Sequence, residues 1–94
     1  RAFGSECAQP TLPKGPNKGS EDCLTINVWS QPGNSISRRP VMVWIHGGAF
    51  VVGDGIRSLD QGATELSKRG VVLVSFNYRV GRFGFFAHPE LRRE

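Results

Sequence analysis

Three apolar segments along the chain predict β-strands. In residues 24–30, "LTINVWS", apolar and polar positions alternate, which predicts a strand with its Leu-Ile-Val face buried. Residues 41–46 and 71–77 are apolar without alternation, and strands of this kind are covered on both faces in the centre of a parallel sheet. We therefore expect one half-buried strand and two fully covered strands.

A helix is predicted between the second and third apolar segments. Leu59, Ala63 and Leu66 recur at the spacing of one helix face and would form its buried stripe. Its ends are marked by a capping box, two basic residues in the last turn and a terminal glycine: Ser58 with Gln61, Lys68 with Arg69, and Gly70. Residues 41–77 thus read as a βαβ unit with a right-handed crossover.

These elements predict an α/β fold made of one mixed-direction strand plus the βαβ unit. A single helix leaves two such strands without cover on one face, so we interpret residues 1–94 as an incomplete portion of a larger domain. The first residues, "RAFGSECAQP", contain no initiator Met and no signal peptide. We expect the chain to begin inside a longer protein.

Composition narrows the class of protein. Among 94 residues, 38% are hydrophobic and 21% charged, which is typical of globular proteins. The net charge of +4 comes from 12 basic and 8 acidic residues, but the basic residues are scattered, which favours a solvated surface over a nucleic-acid site. No apolar run approaches the roughly 18 residues of a membrane span.

The two cysteines flank a segment rich in Pro, Gly and Lys. Cys7 and Cys23 are the only cysteines in the sequence, and an even count across a segment with little apolar content favours a disulfide over two unpaired thiols. Zinc binding by these cysteines with His46 and His88 is a weaker alternative, because neither pair has the spacing of a zinc finger. A disulfide would indicate an oxidising compartment: secreted, periplasmic or ER-lumenal.

The second apolar segment stops at a histidine and two glycines. We call residues 46–53, "HGGAFVVG", the glycine turn. It follows a predicted parallel strand, at the sheet edge where α/β proteins bind ligands. Two successive glycines allow consecutive N–H groups to point into one concavity that binds an anion, although a generic Gly-Gly turn is an alternative. A dinucleotide site lacks its GxGxxG motif, and a P-loop lacks GK[ST].

Three segments occur in an order that resembles a known family. They are "SEDCLTINVW" (20–29), "VMVWIHGGAFVVG" (41–53) and "VVLVSFNYRVGRFGFF" (71–86). Together they resemble the N-terminal part of the type-B carboxylesterase and cholinesterase family of α/β-hydrolases. The resemblance spans nearly the whole chain and implies a partial α/β-hydrolase sheet. It also implies a serine hydrolase that acts on small carboxylic esters and needs no cofactor.

The resemblance also assigns roles to residues. The N–H groups of Gly48 and Ala49 would form the oxyanion hole, and Gly47 would let the loop turn. Cys7 and Cys23 match the first disulfide of the family. The nucleophile motif GxSxG is absent from the sequence, since Ser58, Ser67 and Ser75 lack that context. The catalytic Ser, Asp or Glu, and His should therefore lie after residue 94, and the isolated chain is predicted to be inactive.

Several other side chains have two interpretations. His46 is interpreted as a structural residue that orders the glycine turn, and His88 as a surface residue. Phe50 either contacts the acyl group of a substrate or packs in the core. Arg79 is predicted to form a structural ion pair, with Glu21 or Asp22 as its candidate partner, and contact with substrate is the weaker alternative. The aromatic group is predicted to lie in the core or, as the second interpretation, in the floor of the active-site gorge that the resemblance implies: Phe83, Phe85 and Phe86.

Two other classes of function remain open from the sequence. The family includes catalytically inactive members that serve in adhesion or binding, and the chain could belong to one of them. A small secreted binding module with one disulfide is a further alternative. The oligomeric state is unknown.

Overall fold

The computed structural model describes residues 2–33, 38–57 and 59–90. The elements are β1 (Ile26–Trp29), β2 (Val41–Trp44), α1 (Asp60–Lys68), β3 (Val72–Phe76) and α2 (Gly81–Phe85). The three strands and the helix predicted from the sequence are present, and the short helix α2 is additional. In these described ranges, no helix is long and apolar enough to cross a membrane.

The three strands form one mixed sheet in the order β1-β3-β2. β1 runs antiparallel to β3, whereas β2 runs parallel to β3. β2, α1 and β3 are therefore the predicted βαβ unit, and β1 is the predicted strand of opposite direction. The placement of β3 between the other two strands gives it hydrogen-bonding partners on both sides.

The helix α1 covers one face of β3. Leu59 and Ala63 are buried and pack against Leu73 of β3, with Trp29 and Leu66 partly buried around them. The predicted apolar stripe is thus confirmed. The helix begins at Asp60, and the predicted cap residue Ser58 lies outside the described residues.

The helix α1 ends as its sequence predicts. Arg69 occupies the C-cap, and its N–H group donates to the carbonyl of Leu66. Gly70 follows with a φ of +85° and donates to the carbonyl of Ser67. A positive φ is the conformation that favours glycine after a helix, so the predicted end at Gly70 is confirmed.

The opposite face of the sheet is apolar and exposed. Strand register places Val28, Val74 and Val43 in one row of this face, and Ile26 and Val43 are 66% and 55% exposed. The prediction that the Leu-Ile-Val face of β1 is buried is therefore wrong for the described chain. The cause is the position of α1, which packs on the other face, where Trp29 lies.

The same arrangement corrects the prediction for the two parallel strands. β3 has one covered and one half-exposed face, and every residue of β2 is exposed. Among the residues that the structure describes, α1 contacts β1 and β3 but not β2. To cover these strands completely, a second layer of secondary structure would have to pack on the exposed face. On the other face, a further element would have to pack beside α1.

The N-terminal segment is held by a disulfide. Cys7 and Cys23 are bonded, which confirms the favoured pairing, and both pack against Val80. The segment between them is not a loose loop, because Gln9 and Lys18 exchange two backbone hydrogen bonds of 2.9 Å across it. The disulfide and this short antiparallel bridge bring residue 9 next to the glycine turn, as described below.

The exposed face predicts how the isolated chain behaves. We expect it to self-associate and to bind the dye ANS without a cooperative thermal transition, because apolar surface of this kind is covered in stable proteins. The double variant Ile26→Lys/Val43→Lys should reduce dye binding and association while strand content in circular dichroism is kept. The matched variant Leu73→Lys places a charge on the covered face and should abolish that content. A monomeric wild-type chain that melts cooperatively would contradict this expectation.

Candidate active site

The glycine turn follows the carboxyl end of a parallel strand. β2 ends at Trp44, and β3, parallel to it, ends at Phe76. Asn77 and Tyr78 therefore leave the sheet at the same edge as the turn. This is the edge at which open α/β sheets bind ligands, so the structure places the turn and these two side chains where a functional site is expected.

His46 opens the turn and is buried, with 3% of its surface exposed. Its Nδ1 lies 2.8 Å from the carbonyl oxygen of Gly47. A carbonyl oxygen can only accept, so Nδ1 carries the hydrogen and donates it. The ring also stacks on Tyr78 at 4.1 Å between centroids, and the Tyr78 hydroxyl donates to the His46 carbonyl over 2.7 Å. These contacts fit the interpretation of His46 as a residue that orders the turn.

The bond to the Gly47 carbonyl also fixes a neighbouring N–H group. The carbonyl of Gly47 and the N–H of Gly48 belong to one peptide unit, which is planar and resists rotation. When His46 holds the carbonyl, it therefore sets the direction of the Gly48 N–H. The side chain of His46 thus controls a backbone donor without touching it.

The next peptide unit is held in the same way. The carbonyl of Gly48 accepts two hydrogen bonds, from the N–H groups of Val51 at 3.0 Å and Val52 at 3.1 Å. Its partner in the peptide plane is the N–H of Ala49. Within the described ranges, the N–H groups of Gly48 and Ala49 donate to no acceptor. The turn therefore holds two oriented N–H groups without an acceptor in the described part of the chain.

Three consecutive residues of the turn have positive φ angles. The values are +120° at Gly48, +52° at Ala49 and +62° at Phe50. For residues with a side chain, the left-handed conformation costs about 1–2 kcal/mol each. Strain of this kind is stored at functional sites when surrounding contacts impose it. One such contact is the N–H of Gly81, which donates to the Phe50 carbonyl over 2.6 Å.

Of the two adjacent glycines after His46, Gly48 is the one with a steric requirement for glycine. A Cβ built there would approach the Val52 carbonyl oxygen to 1.7 Å, whereas a Cβ on Gly47 would meet no atom within 4 Å. The positive φ also falls on Gly48 and not on Gly47. The role predicted for Gly47 in shaping the loop stays a prediction, and the geometry assigns the tight approach to its neighbour.

Phe50 lies beside the two donors. It is 61% exposed, and its ring contacts Phe85 at 4.9 Å between centroids. The alternative that it packs in the core is therefore wrong for the described chain. The side chains of Ile45, Phe50 and Tyr78 line an open concavity next to the turn, which would present an apolar surface to a bound ligand.

Other predictions near the site need correction. Phe83, Phe85 and Phe86 are exposed and do not form a core, because the short helix α2 buries none of its residues in the described chain. Arg79 is exposed and takes part in no ion pair among the described residues, so its pairing with Glu21 or Asp22 is wrong. His88 is exposed, which confirms its surface position.

Of the three serines considered as nucleophiles, the two whose side chains are described have structural hydrogen bonds. Ser67 donates within α1 to the carbonyl of Thr64 over 2.9 Å, and the buried Ser75 donates to the carbonyl of Gly55. Ser58 lies outside the described residues. Within the described ranges, neither Ser67 nor Ser75 is bonded to a histidine, and the placement of the nucleophile after residue 94 stays a prediction.

Two buried amide side chains support the site, and neither role was predicted from the sequence. Asn77 accepts from the N–H of Gly55 at 2.8 Å and donates to the carbonyls of Ser5 at 3.0 Å and Cys23 at 3.1 Å. Gln9 accepts from the N–H of Gly53 at 2.8 Å and donates to the Gly53 carbonyl at 3.0 Å. A polar residue directly after an apolar strand was a signal for Asn77, whereas no local pattern marked Gln9.

Comparison with solved structures gives the class of fold. A PNB esterase structure superposes with a TM-score of 0.80 at 39% identity and covers 98% of this chain and 20% of that esterase. A carboxylesterase of Geobacillus stearothermophilus superposes with a TM-score of 0.72 at 42% identity and covers 89% of this chain and 16% of the other. The mixed sheet with its glycine turn is thus part of an α/β-hydrolase fold.

Sequence comparison gives the family. The profile described as "Carboxylesterase family" matches residues 1–92, so the chain belongs to the carboxylesterase family. It is 43% identical over 93 residues to para-nitrobenzyl esterase of Bacillus subtilis (strain 168), covering 89% of this chain and 18% of the relative. It is 41% identical over 93 residues to bile salt-activated lipase of Homo sapiens, covering 90% of this chain and 12% of that relative.

A third relative is more similar over a shorter segment. Fumonisin B1 esterase of Sphingopyxis macrogoltabida is 47% identical over 75 residues, covering 80% of this chain and 14% of the relative. The chain thus spans between 12% and 18% of the length of these three curated relatives.

The turn geometry predicts different tolerance at its two central glycines. Gly48→Ala should lower the free energy of unfolding of the full-length protein by more than about 2 kcal/mol, because the new methyl group overlaps the Val52 carbonyl. Gly47→Ala, the matched control, should change it by less than about 1 kcal/mol, because the space around it is open. Urea denaturation of both variants tests this, and equal losses would contradict the described turn.

Proposed function

We propose that this chain is the N-terminal part of an α/β-hydrolase domain and supplies the oxyanion-hole turn of a serine carboxylic-ester hydrolase. The observation that carries the proposal is the pair of oriented N–H groups of Gly48 and Ala49, which have no acceptor among the described residues. Family membership supports ester hydrolysis as the reaction. The names of two relatives, para-nitrobenzyl esterase and fumonisin B1 esterase, support it further.

The proposed mechanism is acylation of a serine that follows residue 94. The serine oxygen attacks the ester carbonyl carbon, a histidine takes the hydroxyl proton and passes it to the leaving alcohol, and water then hydrolyses the acyl-enzyme. The carbonyl oxygen becomes negative in each tetrahedral intermediate. Gly48 and Ala49 would donate to that oxygen, and loss of one such donor costs about 3–4 kcal/mol of barrier.

The exposed sheet face supports the larger domain. Both faces of β2 and one face each of β1 and β3 are not covered in the described chain. The chain also spans only a small fraction of the length of its relatives. The rest of such a domain would supply the missing layers together with the serine, the histidine and the carboxylate. Phe50, exposed beside the donors, would contact the acyl part of the substrate.

The proposed location is an oxidising compartment. The buried Cys7–Cys23 disulfide joins the N-terminal segment to the residues that lead into β1. Disulfides of this kind persist in secreted, periplasmic or ER-lumenal proteins and are rare in the cytosol. The disulfide thus favours a protein that folds outside the cytosol.

The full-length protein should hydrolyse short-chain aryl esters such as 4-nitrophenyl acetate. A serine-directed phosphonate should abolish this activity and label one serine in a GxSxG sequence after residue 94. The isolated 94-residue chain, which lacks that motif, is the control and should be inactive. A full-length protein that neither hydrolyses the ester nor reacts with the phosphonate would contradict the proposal and favour a catalytically inactive member that binds a partner.

A further inference from the structure

Gln9 forms a two-way link to the end of the glycine turn. Its side-chain oxygen accepts from the N–H of Gly53 at 2.8 Å, and its side-chain nitrogen donates to the carbonyl of the same residue at 3.0 Å. The two residues are 44 positions apart, and Gln9 is only 5% exposed. A carboxamide is the side chain that can both donate to and accept from one backbone residue in this way.

Gly53, which Gln9 holds, packs against the residues at the centre of the turn. A Cβ built on Gly53 would lie 2.3 Å from Nδ1 of His46 and 2.4 Å from the carbonyl oxygen of Gly47. The backbone of Gly53 therefore packs directly against both partners of the hydrogen bond that orients the Gly48 N–H. If Gly53 moves away, the hydrogen bond between His46 and the Gly47 carbonyl loses the backbone contact that holds its two partners in place.

Gln9 is itself held from the other side. Its nitrogen also lies 3.1 Å from the carbonyl of Cys7 and 3.3 Å from Oε2 of Glu6. Its backbone exchanges two hydrogen bonds with Lys18, and the adjacent disulfide fixes the start of the segment. The side chain therefore has a rigid base from which it can hold the turn.

We propose that Gln9 is a positioning residue for the oxyanion hole, acting through Gly53 and His46 on the N–H of Gly48. The inference rests on the proposed function, since it assigns Gln9 to the same site. Gln9 acts only through the position of the donors, and these donors would bind the oxyanion that forms in the transition state. Its loss should therefore weaken binding of the transition state while leaving substrate binding nearly unchanged. A residue that only stabilises the fold would not produce that separation.

The first test is Gln9→Met in the full-length protein, which keeps the shape of the side chain and removes both hydrogen bonds to Gly53, together with the contacts of the side-chain nitrogen to Cys7 and Glu6. We expect kcat for 4-nitrophenyl acetate to fall about 10- to 100-fold, because misplacement of a catalytic donor by about 1 Å has effects of this size. KM should change by less than about threefold. The affinity for a trifluoromethyl ketone, whose adduct with the serine carries the same oxyanion, should fall in parallel with kcat.

The matched control is Thr11→Val. The Thr11 hydroxyl donates to the carbonyl of Pro16 within the same disulfide-closed segment, but neither residue contacts the glycine turn through a hydrogen bond. This change should lower the melting temperature without lowering kcat or ketone affinity. It separates a general loosening of the segment from the loss of the link to Gly53.

A second variant, Gln9→Glu, keeps the test decisive if Gln9→Met does not fold. A protonated carboxyl can replace the carboxamide, donating to the Gly53 carbonyl and accepting from its N–H. A carboxylate cannot donate and would face Glu6, the charged group at 3.3 Å from this position, which itself pairs with Lys18 and Arg57. The ratio of variant to wild-type kcat should therefore rise as the pH is lowered.

Each outcome supports or overturns the inference. Parallel losses of kcat and ketone affinity in Gln9→Met, with Thr11→Val unaffected, support it, as does the pH-dependent recovery of Gln9→Glu. An active wild-type protein in which folded Gln9→Met keeps full kcat and ketone affinity overturns it and leaves the proposed function intact. The same holds if the ratio for Gln9→Glu does not depend on pH. A wild-type protein without esterase activity overturns the proposed function and this inference with it.

Discussion

The hydrogen bond from Nδ1 of His46 to the carbonyl of Gly47 is the contact on which the candidate site depends. The bond holds the peptide plane that joins Gly47 to Gly48. The side chain of His46 thereby fixes the Gly48 N–H group, which points away from that side chain. The adjacent plane is fixed by the N–H groups of Val51 and Val52. Preorganised donors are effective because they need no reorganisation when charge develops, and these three hydrogen bonds would preorganise the N–H groups of Gly48 and Ala49.

The surrounding structure can be understood as support for this bond. Tyr78 holds His46 by stacking and by a hydrogen bond to its carbonyl, and Gln9 holds Gly53 against the ring. Asn77 joins the end of β3 to the segment that follows the turn and to the N-terminal segment. Gln9 and Asn77 are buried and hydrogen-bonded, and because buried amides are costly when unpaired, arrangements of the turn that break these bonds are unfavourable. That network offsets the strain at Ala49 and Phe50.

Local patterns predicted the elements well. The unbroken apolar segments became β2 and β3, and the spacing of Leu59, Ala63 and Leu66 became the buried face of α1. The favoured disulfide was also correct. These features depend on residues close in sequence or, for the cysteines, on a simple pairing rule, which is why the sequence was sufficient.

Features that depend on distant partners were not predicted. The link between Gln9 and Gly53 joins residues 44 positions apart, and its donors and acceptors leave no periodic signal. Alternation in β1 identified an apolar face but not which face α1 would cover. The distinction between Gly47 and Gly48 required the position of the Val52 carbonyl. Apolar content alone also did not show that the aromatic group after β3 is exposed in the described chain, because burial depends on which elements pack against it.

The central claim is that the N–H groups of Gly48 and Ala49 bind the developing oxyanion. Its most direct test is a crystal structure of the full-length protein after reaction with a serine-directed phosphonate, whose phosphoryl oxygen mimics that oxyanion. We predict that this oxygen lies about 2.7–3.1 Å from both backbone nitrogens, with the His46–Gly47 hydrogen bond retained. A phosphoryl oxygen held by other donors, with the glycine turn remote from the labelled serine, would contradict the account.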